Sequence, residues 1–229
     1  DAVRISPSEV ETGLWSRVPF GAFASREEAD ARSARLAQTH DFSGDNVHFT
    51  PGSAAINILD NATGKIRKPT TDDYVRYAKL IGGLPHIASQ STAFIPADVT
   101  ESVSDSYRLY LSLLNCAKPV VTGTFGMTAF EVMRDLLLAV RGSREALAEK
   151  PLGMFTCCPL SPLKWSDVTS QNLLDCAELG IPVEIVTMPL AGFTAPVTLA
   201  GTLAQCLAEI VEEAITRVAA VDNTPCQHR

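Results

Sequence analysis

The chain has 229 residues, with 46% hydrophobic residues, 20% charged residues and a formal net charge of −7. That length supports one sizeable core or a barrel near its lower size limit, and the balance is that of a folded globular protein rather than a disordered one. The chain is acidic and has no basic run, so it lacks the Lys/Arg footprint of a nucleic-acid binder; with no apolar stretch near the ~20 residues of a membrane helix, neither partner is expected.

The start, Asp1-Ala2-Val3-Arg4, carries neither Met nor a leader pattern and reads as trimmed or internal. Ser6-Pro7-Ser8-Glu9 reads as a helix start. A second segment, opening at Ser25-Arg26-Glu27-Glu28 and running to about Gln38, is poor in large apolar residues and reads as a surface helix or lid. Residues 1–43 are therefore expected to form an N-terminal helical segment, distinct from 44–229.

From Asn46 onward, β-rich runs alternate with helical patterns. The runs are Val47–Thr50, His86–Ser91, Pro119–Phe125, Leu152–Cys158 and Pro182–Pro189. The helices are Thr71–Ile81, Ser104–Cys116, Ala129–Val140, Val168–Leu179 and Pro196–Ala219. Such alternation implies βαβ units and a parallel sheet. One interruption, Ala55–Asp60 and Lys65–Arg67 around Asn61-Ala62-Thr63-Gly64, predicts a hairpin. No G-x-G-x-x-G follows any run, so the nucleotide fingerprint of an open doubly wound sheet is missing. A TIM-type α/β barrel, incomplete at about five βα units, is the preferred fold.

Three ordered stretches resemble the trimethylamine methyltransferase superfamily. They are Asn46-Val47-His48-Phe49-Thr50-Pro51-Gly52 with the hairpin ending Leu59–Gly64, then Cys158-Pro159-Leu160-Ser161-Pro162-Leu163, and then Met188-Pro189-Leu190-Ala191-Gly192-Phe193-Thr194-Ala195-Pro196 continuing to Gly201. The similarity covers about Gly44 to Glu213. It implies transfer of a methyl group from a methylated amine, trimethylamine or a quaternary amine such as a betaine, to a cognate corrinoid protein. The cofactor would be carried by that partner and not bound directly. Members of the family are about twice as long, and the half that holds pyrrolysine in the archetypal enzymes is absent here. The end, Val221–Arg229, does not continue the family pattern and reads as truncated or rearranged. Homo-oligomerisation is left open.

In a parallel barrel, function sits at the C-terminal ends of the strands. Those ends read Phe49-Thr50-Pro51-Gly52, Gln90-Ser91-Thr92, Gly123-Thr124-Phe125-Gly126, Thr156-Cys157-Cys158-Pro159 and Thr187-Met188-Pro189, without Asp, Glu, His, Lys or Arg. A rim of amides, hydroxyls and rings suits a reaction whose leaving amine departs neutral. Phe49, Phe125 and Phe193 are candidates to hold a cation by their ring faces, against the ordinary alternative of core packing. Gln90 completes the expected substrate-binding set from the strand ends. Thr194 is expected to cap a helix starting at Ala195-Pro196, whose free N–H groups would suit a betaine carboxylate. Asp60 is a candidate cation partner, with turn stabilisation as the competing role, and Asp98 is the other nearby acid.

Other readings stay open. Lys164 supports a Schiff-base lyase or aldolase, and the chain could instead be a non-catalytic amine-binding fragment. Zinc at Cys157-Cys158 with His48 is disfavoured, because neighbours on a strand face opposite sides. His48 and His86 read as structural. The six cysteines, with no C-x-x-C pair, read as buried reduced thiols of a cytoplasmic protein.

Overall fold

The structure, a computed structural model, describes residues 45–218. The expected helical segment at 1–43 and the tail beyond 218 lie outside the described residues. The expected hairpin is present: β1 (Ile58–Asp60) pairs antiparallel with β2 (Lys65–Arg67). Four further strands follow, β3 (Gln90–Ser91), β4 (Val120–Thr122), β5 (Gly153–Cys157) and β6 (Val183–Ile185). They form one parallel sheet in chain order, each strand beside its predecessor. The expected first strand is reduced to isolated parallel bridges, Phe49–Ile87 and Ala55–Phe94, with Ala54 between them at φ +60°.

The helices are α1 (Thr71–Gly83), α2 (Glu101–Asn115), α3 (Ala129–Arg141), α4 (Arg144–Glu149), α5 (Asp167–Leu179) and α6 (Leu199–Val218). Their limits follow local chemistry. Thr70 N–H donates to the Asp73 carboxylate at the start of α1, and Asp98 accepts from Thr71 N–H at 2.9 Å. Ser143 and Ser166 cap α4 and α5, accepting from Ala146 N–H and Thr169 N–H. Gly142 and Gly180 end α3 and α5 in the left-handed region. The short α4 was not anticipated, although Gly142-Ser143 is a stop followed by a cap.

The last helix corrects an expectation. It starts at Leu199 and not at Ala195-Pro196, and Thr198 is its cap, with Thr198 Oγ1 accepting from Gly201 N–H at 3.2 Å. The Thr194 hydroxyl instead accepts from Leu190 N–H at 2.8 Å, inside a tight turn where Gly192 takes φ +80°. Residues before proline disfavour the helical region, so Ala195 cannot easily open a helix at Pro196.

Strand alternation divides the sheet. Val120, Phe155 and the flanking Leu152 pack with Leu109, Leu113, Phe130, Met133, Leu137, Leu147, Cys176 and Leu179 from the helices. The rings of Phe130 and Phe155 lie 5.1 Å apart in this core. Val121, Met154, Thr156 and Glu184 stand on the opposite face, and the last three are only half-buried. Gly153 lets β5 approach β4 closely: a Cβ there would sit 2.0 Å from the Val120 carbonyl oxygen. Lys118 fastens α1 to the sheet, its Nζ donating to the carbonyls of Ile81, Leu84 and Ile87 at 2.5–2.8 Å. Among the described residues, no helix is long and apolar enough to cross a membrane.

Candidate functional site

The C-terminal end of the sheet gathers three groups of different chemistry. Thr156 and Glu184 are register partners on β5 and β6, and the Thr156 hydroxyl donates to the Glu184 carboxylate at 3.2 Å. Gly123, just past β4, abuts the same point: a Cβ there would lie 3.2 Å from the Thr156 carbonyl oxygen. Two residues on, Phe125 stands on the β4–α3 loop with 63% of its surface exposed. Cys158, just past β5, is exposed and Cys206 is half-buried, so the expectation that the cysteines are all buried fails; the Cys158 thiol pKa is still pushed up by desolvation and by the nearby Glu184 carboxylate. Its neighbour Cys157 faces the core, where burial raises the thiol to about 12. Neither cysteine is a ready thiolate at neutral pH.

The loop bearing Phe125 is held from behind by α2. Asp105 Oδ2 accepts from Phe125 N–H at 2.7 Å, while Asp105 Oδ1 accepts from Arg108 Nη2 at 2.5 Å. Arg108 also donates to the Thr92 carbonyl at 3.1 Å, and its guanidinium carbon lies over the Phe125 ring, 5.2 Å from the centroid. The arginine is 1% exposed. Asn172 on α5 donates to Thr124 Oγ1 and braces the same loop from the other side. The next loop, after β5, is fixed by Glu209 of α6, which accepts from the Ser161 hydroxyl at 2.9 Å and Leu163 N–H at 3.1 Å.

The sequence-predicted residues are dispersed around this arrangement. Phe125 is part of it. Phe193, 85% exposed, lies beyond β6 at the same end of the sheet, on the turn that also holds Thr194. Phe49 bridges Ile87, three residues ahead of β3, so the register sets it about eight positions before Phe125. Gln90 is fully buried against α2, its amide donating to the carbonyls of Ser112, Cys116 and Lys118. Asp60 accepts from Ala62 N–H at 2.9 Å and from Arg67 Nε at 2.8 Å, and these bonds hold its carboxyl below the usual range. Arg67 reaches on to Asp73 and ties the hairpin to α1. Lys164 is exposed and sits in a loop closed by reciprocal backbone bonds with Leu160.

Glu184, Asp105, Arg108 and Glu209 were missed from the sequence. A signal existed for Glu184, the one acid inside Pro182-Val183-Glu184-Ile185-Val186. The Asp105/Arg108 spacing of three also marks a helical pair, but nothing local in the sequence shows that the pair is buried beneath a loop.

An exposed aromatic ring and a half-buried carboxylate are each groups that attract a small organic cation. Residues 26–225 match the model of the trimethylamine methyltransferase (MTTB) family. The chain belongs to that family. Among its relatives, the glycine betaine methyltransferase of Desulfitobacterium hafniense (strain Y51) is 32% identical over 169 residues, covering 73% of this chain and 35% of the relative. The trimethylamine methyltransferase MttB of Methanosarcina barkeri (strain Fusaro / DSM 804) is 39% identical over 180 residues, again 73% and 35%. The MttB of D. hafniense (strain DSM 10664 / DCB-2) is 29% identical over 160 residues, 70% and 32%. The matched segment thus spans about a third of the length of these family members.

Proposed function

We propose that this family member transfers a methyl group from a methylated amine, either trimethylamine or a quaternary amine such as a betaine, to a corrinoid carried by a partner protein. The observation that carries the reading is the exposed Phe125 ring on the loop after β4, at the end of the parallel sheet where Thr156 on β5 donates to Glu184 on β6. The relatives named for trimethylamine and glycine betaine support the substrate class. A TIM-type barrel is part of the same proposal, supported by parallel strands in chain order with no reversal point. A cytoplasmic location with reduced thiols belongs to it as well.

The chemistry asks little of acid or base. The donor is a cation, a quaternary amine or trimethylamine in its protonated trimethylammonium form, so the N–CH3 bond breaks with its electron pair left on nitrogen and the amine departs neutral. The corrinoid supplies the electron pair that accepts the methyl group. What remains for this chain is to bind the cation, aim the N–methyl bond outward and keep water away. In this reading the Phe125 face holds the methylated ammonium at about 0.5–2 kcal/mol, and Glu184, oriented by Thr156, balances its charge. Phe193 and Thr194 on the neighbouring turn contribute the far wall. Phe49, Gln90 and Asp60 act more remotely, on the stability of the first strand, β3 and the hairpin.

Native mass spectrometry with a panel of methylated amines tests binding. Retention of a quaternary amine, lost on Phe125→Ala, is the expected outcome. No retention of any amine, with Lys164 trapped by borohydride on a carbonyl compound instead, would replace this reading with Schiff-base chemistry.

A further inference from the structure

We infer that Asp105 and Arg108 form a charge-balanced positioning pair that keeps the Phe125 ring usable for a cation. This rests on the reading of Phe125 as a cation-binding wall. The guanidinium lies over the ring at 5.2 Å from its centroid and is almost fully buried, so its charge reaches the ring with little screening by water. An unbalanced cation there would oppose an ammonium held on the ring's exposed side. Asp105 removes that opposition, because the same carboxylate that accepts from Arg108 Nη2 also accepts from Phe125 N–H. One group therefore sets both where the ring sits and what charge lies behind it. Neither residue touches the ligand.

The charge argument makes a prediction that a scaffold role does not. Choline and its uncharged isostere 3,3-dimethylbutan-1-ol have the same shape, so their affinity ratio reads the electrostatics of the rim alone. In wild type, choline is expected to bind more tightly. Asp105→Asn keeps an oxygen that can accept from Phe125 N–H but leaves Arg108 unbalanced. Two charges roughly 9 Å apart at partial burial change affinity about five- to twentyfold, so choline weakens by that factor and the isostere does not. Asp105→Asn combined with Arg108→Met removes the unbalanced charge, and the ratio is expected to return to within about threefold of wild type.

Binding measured by NMR titration of the full chain separates the outcomes. Equal losses for both ligands in the single variant, or a double variant that stays choline-deficient, overturn the inference and leave the pair a plain brace. Should the single variant not fold, Arg108→Met carries the test: it leaves the Asp105 carboxylate unbalanced, so the choline-to-isostere ratio is expected to rise, and an unchanged ratio overturns the inference. A wild-type protein that does not distinguish the two ligands defeats the cation reading of Phe125 itself, and the inference with it.

Discussion

Gly153→Ala is expected to destabilise the fold by ~3–4 kcal/mol, the cost of forcing bulk into a packed sheet. The added methyl would stand 2.0 Å from the Val120 carbonyl oxygen and 2.8 Å from its carbon, both backbone atoms that no rotamer change can move. Relief requires β4 and β5 to separate, and these are the central strands of the parallel sheet. The helix-side core would open with them, since Val120 and Phe155 bury their side chains among α2, α3 and α5. Gly83→Ala is the matched control. It meets nothing within 4 Å, and its expected effect is within ~0.5 kcal/mol. Urea titrations of the two variants check this. An effect of Gly153→Ala no larger than the control would contradict the close approach of the strands.

Glu184→Gln is expected to weaken binding of a quaternary amine about tenfold, or ~1.4 kcal/mol, with stability nearly unchanged. The substitution keeps shape and keeps an oxygen to accept from the Thr156 hydroxyl, but it removes the charge. A half-buried carboxylate near an ammonium is weakly screened, so most of the loss falls on the ligand and little on the fold. The nearby Cys158 offers an internal check. Its thiol pKa is raised in part by Glu184, so thiol modification should titrate at lower pH once the charge is gone. Unchanged amine affinity would remove Glu184 from the site.

The architecture was more legible in the sequence than the site. The parallel runs, the hairpin at Leu59-Asp60-Asn61 and most helix limits follow from β-branched runs, glycine stops and Ser/Thr caps, all of which are local signals. The helix after Pro196 was placed too early because two threonines, Thr194 and Thr198, could each serve as a cap. The local turn Leu190–Ala195 around Gly192 takes up the first. Phe49 reads as lying at a strand end, whereas backbone pairing resumes beyond it: Ala54 takes φ +60° and Ala55 N–H donates to the Ala93 carbonyl. Gln90 shows the same limit, since its period-2 position settles which face it takes but not that its amide closes three carbonyls behind it.

The charged part of the site was illegible for a physical reason. Asp105 and Arg108 lie in a helix and Glu184 in mid-strand, whereas the charged candidates legible in the sequence, Asp60, Asp98 and Lys164, lie at the hairpin turn and in loops. Rim residues supply the surface, and groups one layer behind set its electrostatics, a pairing that depends on register between strands and on helix placement. The family resemblance, carried by the three ordered stretches at 46–64, 158–163 and 188–201, uses none of these contacts.

The most direct test is methyl transfer itself, followed as the absorbance change when cob(I)alamin or a corrinoid protein is methylated in the presence of this protein and glycine betaine or trimethylamine, with the demethylated amine identified by mass spectrometry. The expected result is stoichiometric appearance of methylated corrinoid and demethylated amine, abolished or strongly slowed in Phe125→Ala. Binding of the amine with no methyl transfer to any reduced corrinoid, from a protein shown to be folded, would contradict the proposed reaction for this chain.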